Sequence, residues 1–201
     1  MLKIGVLGST KGTDLQAILD AIENKKLEAE IVLVVSDKKD AFILERAKKY
    51  SIETFSANYN DFETREEAEK QIIKKLNEKK TNLILLIGFM KIVSPNFVKE
   101  FKGRIWNIHP SLLPKYAGGM NNNVHEEVLK NKDKETGCTL HEVSKEVDKG
   151  RIILQKKITV DAKDTVDSLK KKVQKLEQEC FIEALKMVIE GKLIIGEQNE
   201  S

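Results

Sequence analysis

Residues 82–109 read NLILLIGFMKIVSPNFVKEFKGRIWNIH, and the order of apolar and polar positions in this stretch decides the architecture. NLILLIGF, at 82–89, is a continuous apolar run, as expected of a strand covered on both faces. MKIVSPNFVKEF follows, where Ser94-Pro95 supplies a cap residue and then a proline suited to the first helical position. RIWNIH, at 104–109, is a second strand. Strand, helix and strand in this order describe one crossover unit of a parallel sheet.

The same rhythm extends back to the N-terminus. LKIGVL at 2–7 stops at Gly8, and a polar loop, STKGTD, leads into periodic apolar positions from Leu15 to Ile22. IVLVVS at 31–36, helical AFILERAKKY and a short extended piece around Ile52 to Phe55 come next. Thr64 to Lys80 then carries Ala68, Ile72, Ile73 and Leu76 on one helical face. Repeated βα units over roughly the first 110 residues predict an α/β fold, a Rossmann-like, mostly parallel open sheet flanked by helices. Beyond His109 the rhythm changes. A Pro/Gly/Asn-rich loop at 110–123 precedes a helix from about Val124 to Asn131. CTLHEV and RIILQKKI then flank the turn Asp148-Lys149-Gly150 and predict a C-terminal hairpin. A long amphipathic helix over about 164–190 follows.

Bulk properties bound the function. With 201 residues, 40% hydrophobic and 33% charged, the chain suits one domain with one good core. Lys and Arg number 35 against 32 Asp and Glu, a net charge of +3, and the lysines alternate with glutamates as on a solvated surface. No basic block and only 5% aromatics speak against nucleic acid as partner. MLKIGVLGST lacks the basic and apolar regions of a signal peptide. No stretch reaches the roughly 18 apolar residues of a membrane span. Cys138 and Cys180, with no CxxC motif, read as structural thiols of a reduced cytoplasmic protein.

Ligands of open α/β sheets collect beyond the carboxyl ends of the strands, so the loops there carry the functional reading. Gly8 to Asp14 enters a helix whose free N–H groups favour an anion. Its glycines match neither a dinucleotide fingerprint nor a P-loop, and a plain turn capped by Thr13 or Asp14 explains it equally well. Met90 to Pro95 is apolar at a strand mouth and, alone, reads as core. Asn107 and His109 point to one side of a strand. An amide that donates to a developing oxyanion and an imidazole that delivers a proton suit acyl transfer. Asp148 is ordinarily a turn former. Beside His109, its carboxylate would stabilise the protonated ring and fix its orientation. His141 is either a core histidine or a support for this group. No cluster has metal-ligand spacing.

GFMKIVSP, NIHPSLLPKY, GCTLHEV and EVDKGRIILQ, in this order, resemble the glycinamide ribonucleotide formyltransferases of purine biosynthesis, over about residues 2–195. The resemblance implies the formyltransferase fold, with a phosphate-binding half at about 1–110 and a folate-binding, catalytic half at about 111–195. It implies catalysis by Asn107, His109 and Asp148. Gly12, Thr13 and Asp14 fall on the family's phosphate loop. Gln174 and Glu177, otherwise plain helix surface, fall where the ribose and phosphate end is held. Folate falls to Arg65, to Met90, Lys91, Ile92 and Val93, to Asn107, and to Ser144, Lys145, Glu146, Val147 and Asp148. The expected co-substrate is 10-formyltetrahydrofolate, with no metal, and the expected assembly is a monomer or homodimer.

Three features depart from the family pattern. Asp14 stands where an asparagine is usual and would repel a phosphate unless it turns away or Lys11 offsets it. Lys91 stands where an arginine is usual and lacks its bidentate fork. Tyr116 to Asn123 reads YAGGMNNN in place of a shorter segment. The rival readings are another folate-dependent formyl transferase, a formyl-folate hydrolase, and a binding protein disabled by Asp14. The hydrolases and the larger transferases usually carry an additional domain.

Overall fold

The computed structural model describes residues 1–118 and 123–196; Gly119 to Asn122, within the divergent loop, lie outside it, as does the tail from 197. Seven strands form one sheet: β1 (Leu2–Leu7), β2 (Ala29–Ser36), β3 (Thr54–Ser56), β4 (Leu83–Leu86), β5 (Ile105–His109), β6 (Glu135–Glu142) and β7 (Ile152–Thr159). Their spatial order is β3-β2-β1-β4-β5-β6-β7. The first five are parallel, β6 runs antiparallel to β5, and β6 and β7 form the expected hairpin. The apolar run at 82–89 outlasts its strand, because β4 ends at Leu86 and the chain turns at Gly88, whose φ is 58°.

Helices cover both faces, as the repeated crossovers require. Alternate residues of one strand enter opposite cores: Leu83 and Leu85 join α1 (Thr13–Glu23), α2 (Phe42–Lys49) and α6 (Val166–Ile189), while Ile84 and Leu86 join α3 (Arg65–Glu78) and α4 (Pro95–Glu100). Ser94 caps α4 by accepting from the Phe97 N–H at 3.2 Å, with Pro95 first in the helix. Thr165 and Ser168 close a capping box at the start of α6. The stripe Leu169, Val173, Phe181 and Leu185 is buried and seats α6 on β6, β7 and α1. A shorter helix, α5 (Val124–Lys130), packs beside it. Both cysteines are buried and free. Among the described residues no helix is long and apolar enough to cross a membrane.

Candidate active site

The strand order reverses between β1 and β4, and the loops leaving their carboxyl ends part there to leave a crevice. Two glycines shape it. Gly12 caps α1 in the left-handed conformation, φ 65°, and a Cβ there would meet Ile43 Cγ1 at 2.4 Å. A Cβ on Gly88 would meet Thr10 Oγ1 at 2.4 Å. Neither Thr13 nor Asp14 caps the helix, against the simple turn reading. Ser9 joins the two loops: its N–H donates to Gly88 O at 3.1 Å and its Oγ accepts from Met90 N at 2.8 Å. The result is a cleft of about 530 Å³ lined from the loops after β1, β4, β5 and β6 and from α5 and α6, a size suited to a small-molecule ligand.

At its centre the antiparallel register sets Asn107 opposite His141. His141 Nδ1 donates to the Glu142 carbonyl at 2.9 Å, so Nε2 accepts from Asn107 Nδ2 at 3.2 Å. Burial holds the His141 pKa below the usual imidazole range, in keeping with this neutral ring. The second N–H of Asn107 remains for a ligand. His109, also buried, donates from Nε2 to Tyr116 O at 2.9 Å, and its Nδ1 lies 3.4 Å from Asp148 Oδ2. Asp148, at φ 56° in the loop between β6 and β7, also sets Oδ1 3.5 Å from His141 Nε2 and accepts the Gly118 N–H at 2.8 Å. The three residues expected to be catalytic therefore converge.

One end of the cleft is polar. Gln174 donates to Thr13 Oγ1 at 2.6 Å, which removes Gln174 from the plain helix surface. Asp14 is turned inward and buried, and its Oδ1 has no hydrogen-bond partner among the described residues. Burial pushes its pKa up to about 6, and burial with the Asp14 charge pushes Glu177 up to about 8. Lys11 is exposed and outside the lining; Lys170 lines the cleft instead. The other end is apolar: Met90 and Ile92 are 45% and 51% exposed at the lip, whereas Val93 belongs to the core. Ser144 to Val147 line the same cleft. Arg65 is not in the lining; its Nε pairs with buried Glu69 at 3.1 Å. Among the described residues no group of three His, Cys, Asp or Glu side chains could hold a metal ion.

The formyl transferase family model matches residues 2–185. The chain belongs to the formyl transferase family. It is 38% identical to the phosphoribosylglycinamide formyltransferase of Escherichia coli over 98% of its own length and 91% of that protein. It is also 40% identical to the trifunctional purine biosynthetic protein adenosine-3 of Gallus gallus, of which it spans only 19%. Among solved structures, the Coxiella burnetii phosphoribosylglycinamide formyltransferase superposes with a TM-score of 0.91 at 38% identity, covering 98% of this chain and 91% of that one. Glycinamide ribonucleotide transformylase 1 of Symbiobacterium toebii gives 0.90 at 35%, covering 97% and 91%.

In this member of the family two lining residues escape a reading of the sequence. Lys170 precedes Gln174 and Glu177 by four and seven residues on α6, which places all three on one helical face; that spacing is the signal that could have found it. His125 is buried, its Nδ1 without a hydrogen-bond partner among the described residues, and nothing local in the sequence marks it.

Proposed function

We propose that this protein transfers the formyl group of 10-formyltetrahydrofolate to the primary amine of glycinamide ribonucleotide, in the cytoplasm and in the course of de novo purine synthesis. One observation carries the reading: Asn107, His109 and Asp148 line one cleft together with polar Gly12 and Thr13, at the start of a helix, and with apolar Met90 and Ile92. A phosphorylated amine suits the first end and a pteridine ring system the second. Each end draws on both halves of the chain, Thr13 with Gln174 and Met90 with Val147. Lys91 sits over the Tyr59 ring at 5.8 Å, and Tyr59 also feels the charge of Arg65, so the glutamate tail of the folate is assigned to this side.

In this reading the substrate amine attacks the formyl carbon. The new C–N bond forms as the carbonyl π pair moves to oxygen, where the free Asn107 N–H and the His109 imidazolium stabilise it. His109 gives its proton to the folate N10 as the bond from N10 to the formyl carbon breaks, and takes up the proton that the attacking nitrogen loses, which restores the imidazolium. Formylated amide and tetrahydrofolate leave. Asp148 compensates the charge on the imidazolium before and after this exchange. The chain acts as a monomer or homodimer in this proposal.

The test follows the absorbance of a 10-formyl folate as it is deformylated, with and without glycinamide ribonucleotide. Release that depends on the amine is the expected result. Release without it would mean hydrolysis, and folate binding without release would mean a different acceptor or a binding protein.

A further inference from the structure

The segment after the catalytic strand forms a strap that the reaction scheme leaves without a role. Tyr116 is held at φ 61°, in the left-handed region that residues bearing a Cβ seldom adopt, so its surroundings must impose that conformation. They do so through the side chain. Tyr116 Oη donates to Asp133 Oδ2 at 2.8 Å and accepts from Asn131 Nδ2 at 2.7 Å, while Lys115 Nζ donates to Asp133 Oδ1 at 2.6 Å. Ser111 Oγ donates to Lys115 O at 2.5 Å. Asp133 is itself fixed, its N–H donating to Val128 O at 3.1 Å at the end of α5.

Everything in this strap converges on one backbone atom. Tyr116 O accepts from His109 Nε2 at 2.9 Å. A carbonyl can only accept, so Nε2 keeps its hydrogen whether the ring is charged or neutral. The proton that comes and goes is then the one on Nδ1. Nδ1 is 3.4 Å from Asp148 Oδ2, beyond the 2.7 to 3.2 Å range of an ordinary N–H···O bond. It is thus near enough to feel the carboxylate and loose enough to turn to a ligand. Asp148 Oδ2 takes the Gly118 N–H at 2.8 Å instead, from the same strap.

We propose that Tyr116 and Asp133 are positioning residues: through the Tyr116 carbonyl they lock His109 Nε2 and leave Nδ1 as the nitrogen that exchanges a proton with the reacting groups. The proposal rests on His109 as the acid of the formyl transfer.

The experiment compares Tyr116→Phe and Asp133→Asn with the parent protein by steady-state kinetics and by 15N-labelled histidine spectra. The chain has only three histidines, and the spectrum of His109→Gln assigns the His109 ring. In the parent, His109 Nε2–H gives a signal protected from solvent exchange. Tyr116→Phe loses that protection and lowers kcat by about ten- to a hundredfold, the scale of a catalytic group misplaced by about an ångström. The KM for each substrate stays within about twofold. Asp133→Asn retains an acceptor for the tyrosine hydroxyl and falls between the two. An unchanged Nε2–H signal in Tyr116→Phe, a kcat near the parent value in both variants, or a loss confined to KM would overturn the proposal. Should the parent transfer no formyl group at all, the ring signal still decides whether the strap holds the imidazole, so the two readings fail separately.

Discussion

Asp148 stands with Oδ2 3.4 Å from Nδ1 of His109, both side chains almost wholly buried, and it does so from a backbone at φ 56°. Asparagine is one of the few residues that tolerates that conformation. Asp148→Asn therefore removes the charge, keeps an acceptor for the Gly118 N–H and leaves the loop unstrained. We expect kcat to fall at least about a hundredfold, the scale of a lost general acid–base contribution, with KM and melting temperature nearly unchanged. Asp148→Ala should lose melting temperature as well. Kinetics and calorimetry on the pair check this, and a fully active asparagine variant would exclude Asp148 from the chemistry.

Much of this arrangement is legible in the sequence, for physical reasons that differ by residue. The strands around NLILLIGF and RIWNIH announce themselves because burial on both faces leaves no polar position to confuse the pattern. Asn107 and His109 follow from the two-residue period of a strand. Asp148 needs the family resemblance, since a turn former next to glycine has an ordinary explanation. Lys170 is hidden among the neighbouring lysines of α6, because which of them faces the cleft depends on how Leu169 and Val173 seat the helix. Tyr116 and Asp133 are 17 residues apart in the chain and meet only because α5 folds between them. The Gly12 cap is equally hidden, since the Ile43 side chain that excludes a Cβ there comes from another helix.

Lys170 takes the place that Lys11 was expected to fill. Two carboxyl groups, Asp14 and Glu177, line the polar end of the cleft with it, and a phosphate cannot settle there against them without a cation. Charged hydrogen bonds contribute about 1.5 to 3 kcal/mol, or roughly ten- to a hundredfold in affinity. Lys170→Met should raise the KM for glycinamide ribonucleotide by that factor and leave the KM for the folate alone. Equal changes in both would assign Lys170 to the fold of α6 instead.

Lys91 tests the other end. An ammonium meets a carboxylate as a point charge, whereas a guanidinium meets it with two parallel bonds. Lys91→Arg should lower the KM for a monoglutamyl formyl folate by roughly threefold to tenfold, since one bidentate pair replaces one single contact, and Lys91→Met should raise it. Tyr59, beneath the lysine at 5.8 Å, accepts either cation over its ring. No response in either variant would move the folate tail away from this lip.

The last prediction concerns pH. Burial and the Asp14 charge push Glu177 up to about 8, and burial pushes Asp14 up to about 6. Between these values the two carboxyl groups together carry one negative charge; above the upper one they carry two. A phosphate monoester has its second pKa near about 6, so the substrate is already a dianion across the upper step. His125, held below the usual imidazole range by burial and by Lys170, stays neutral there. The KM for glycinamide ribonucleotide should therefore rise from about pH 7 to about pH 9 through the ionisation of Glu177, and Glu177→Gln should flatten the rise. Stability must change in the same sense. A carboxyl group whose folded pKa lies above its unfolded value of 4.5 contributes most below that value, and the contribution is lost as pH climbs towards about 8. Melting temperature should decline across this window in the parent and decline less in Glu177→Gln. Parallel curves for the two proteins, in both KM and melting temperature, would place the ionisation on another group.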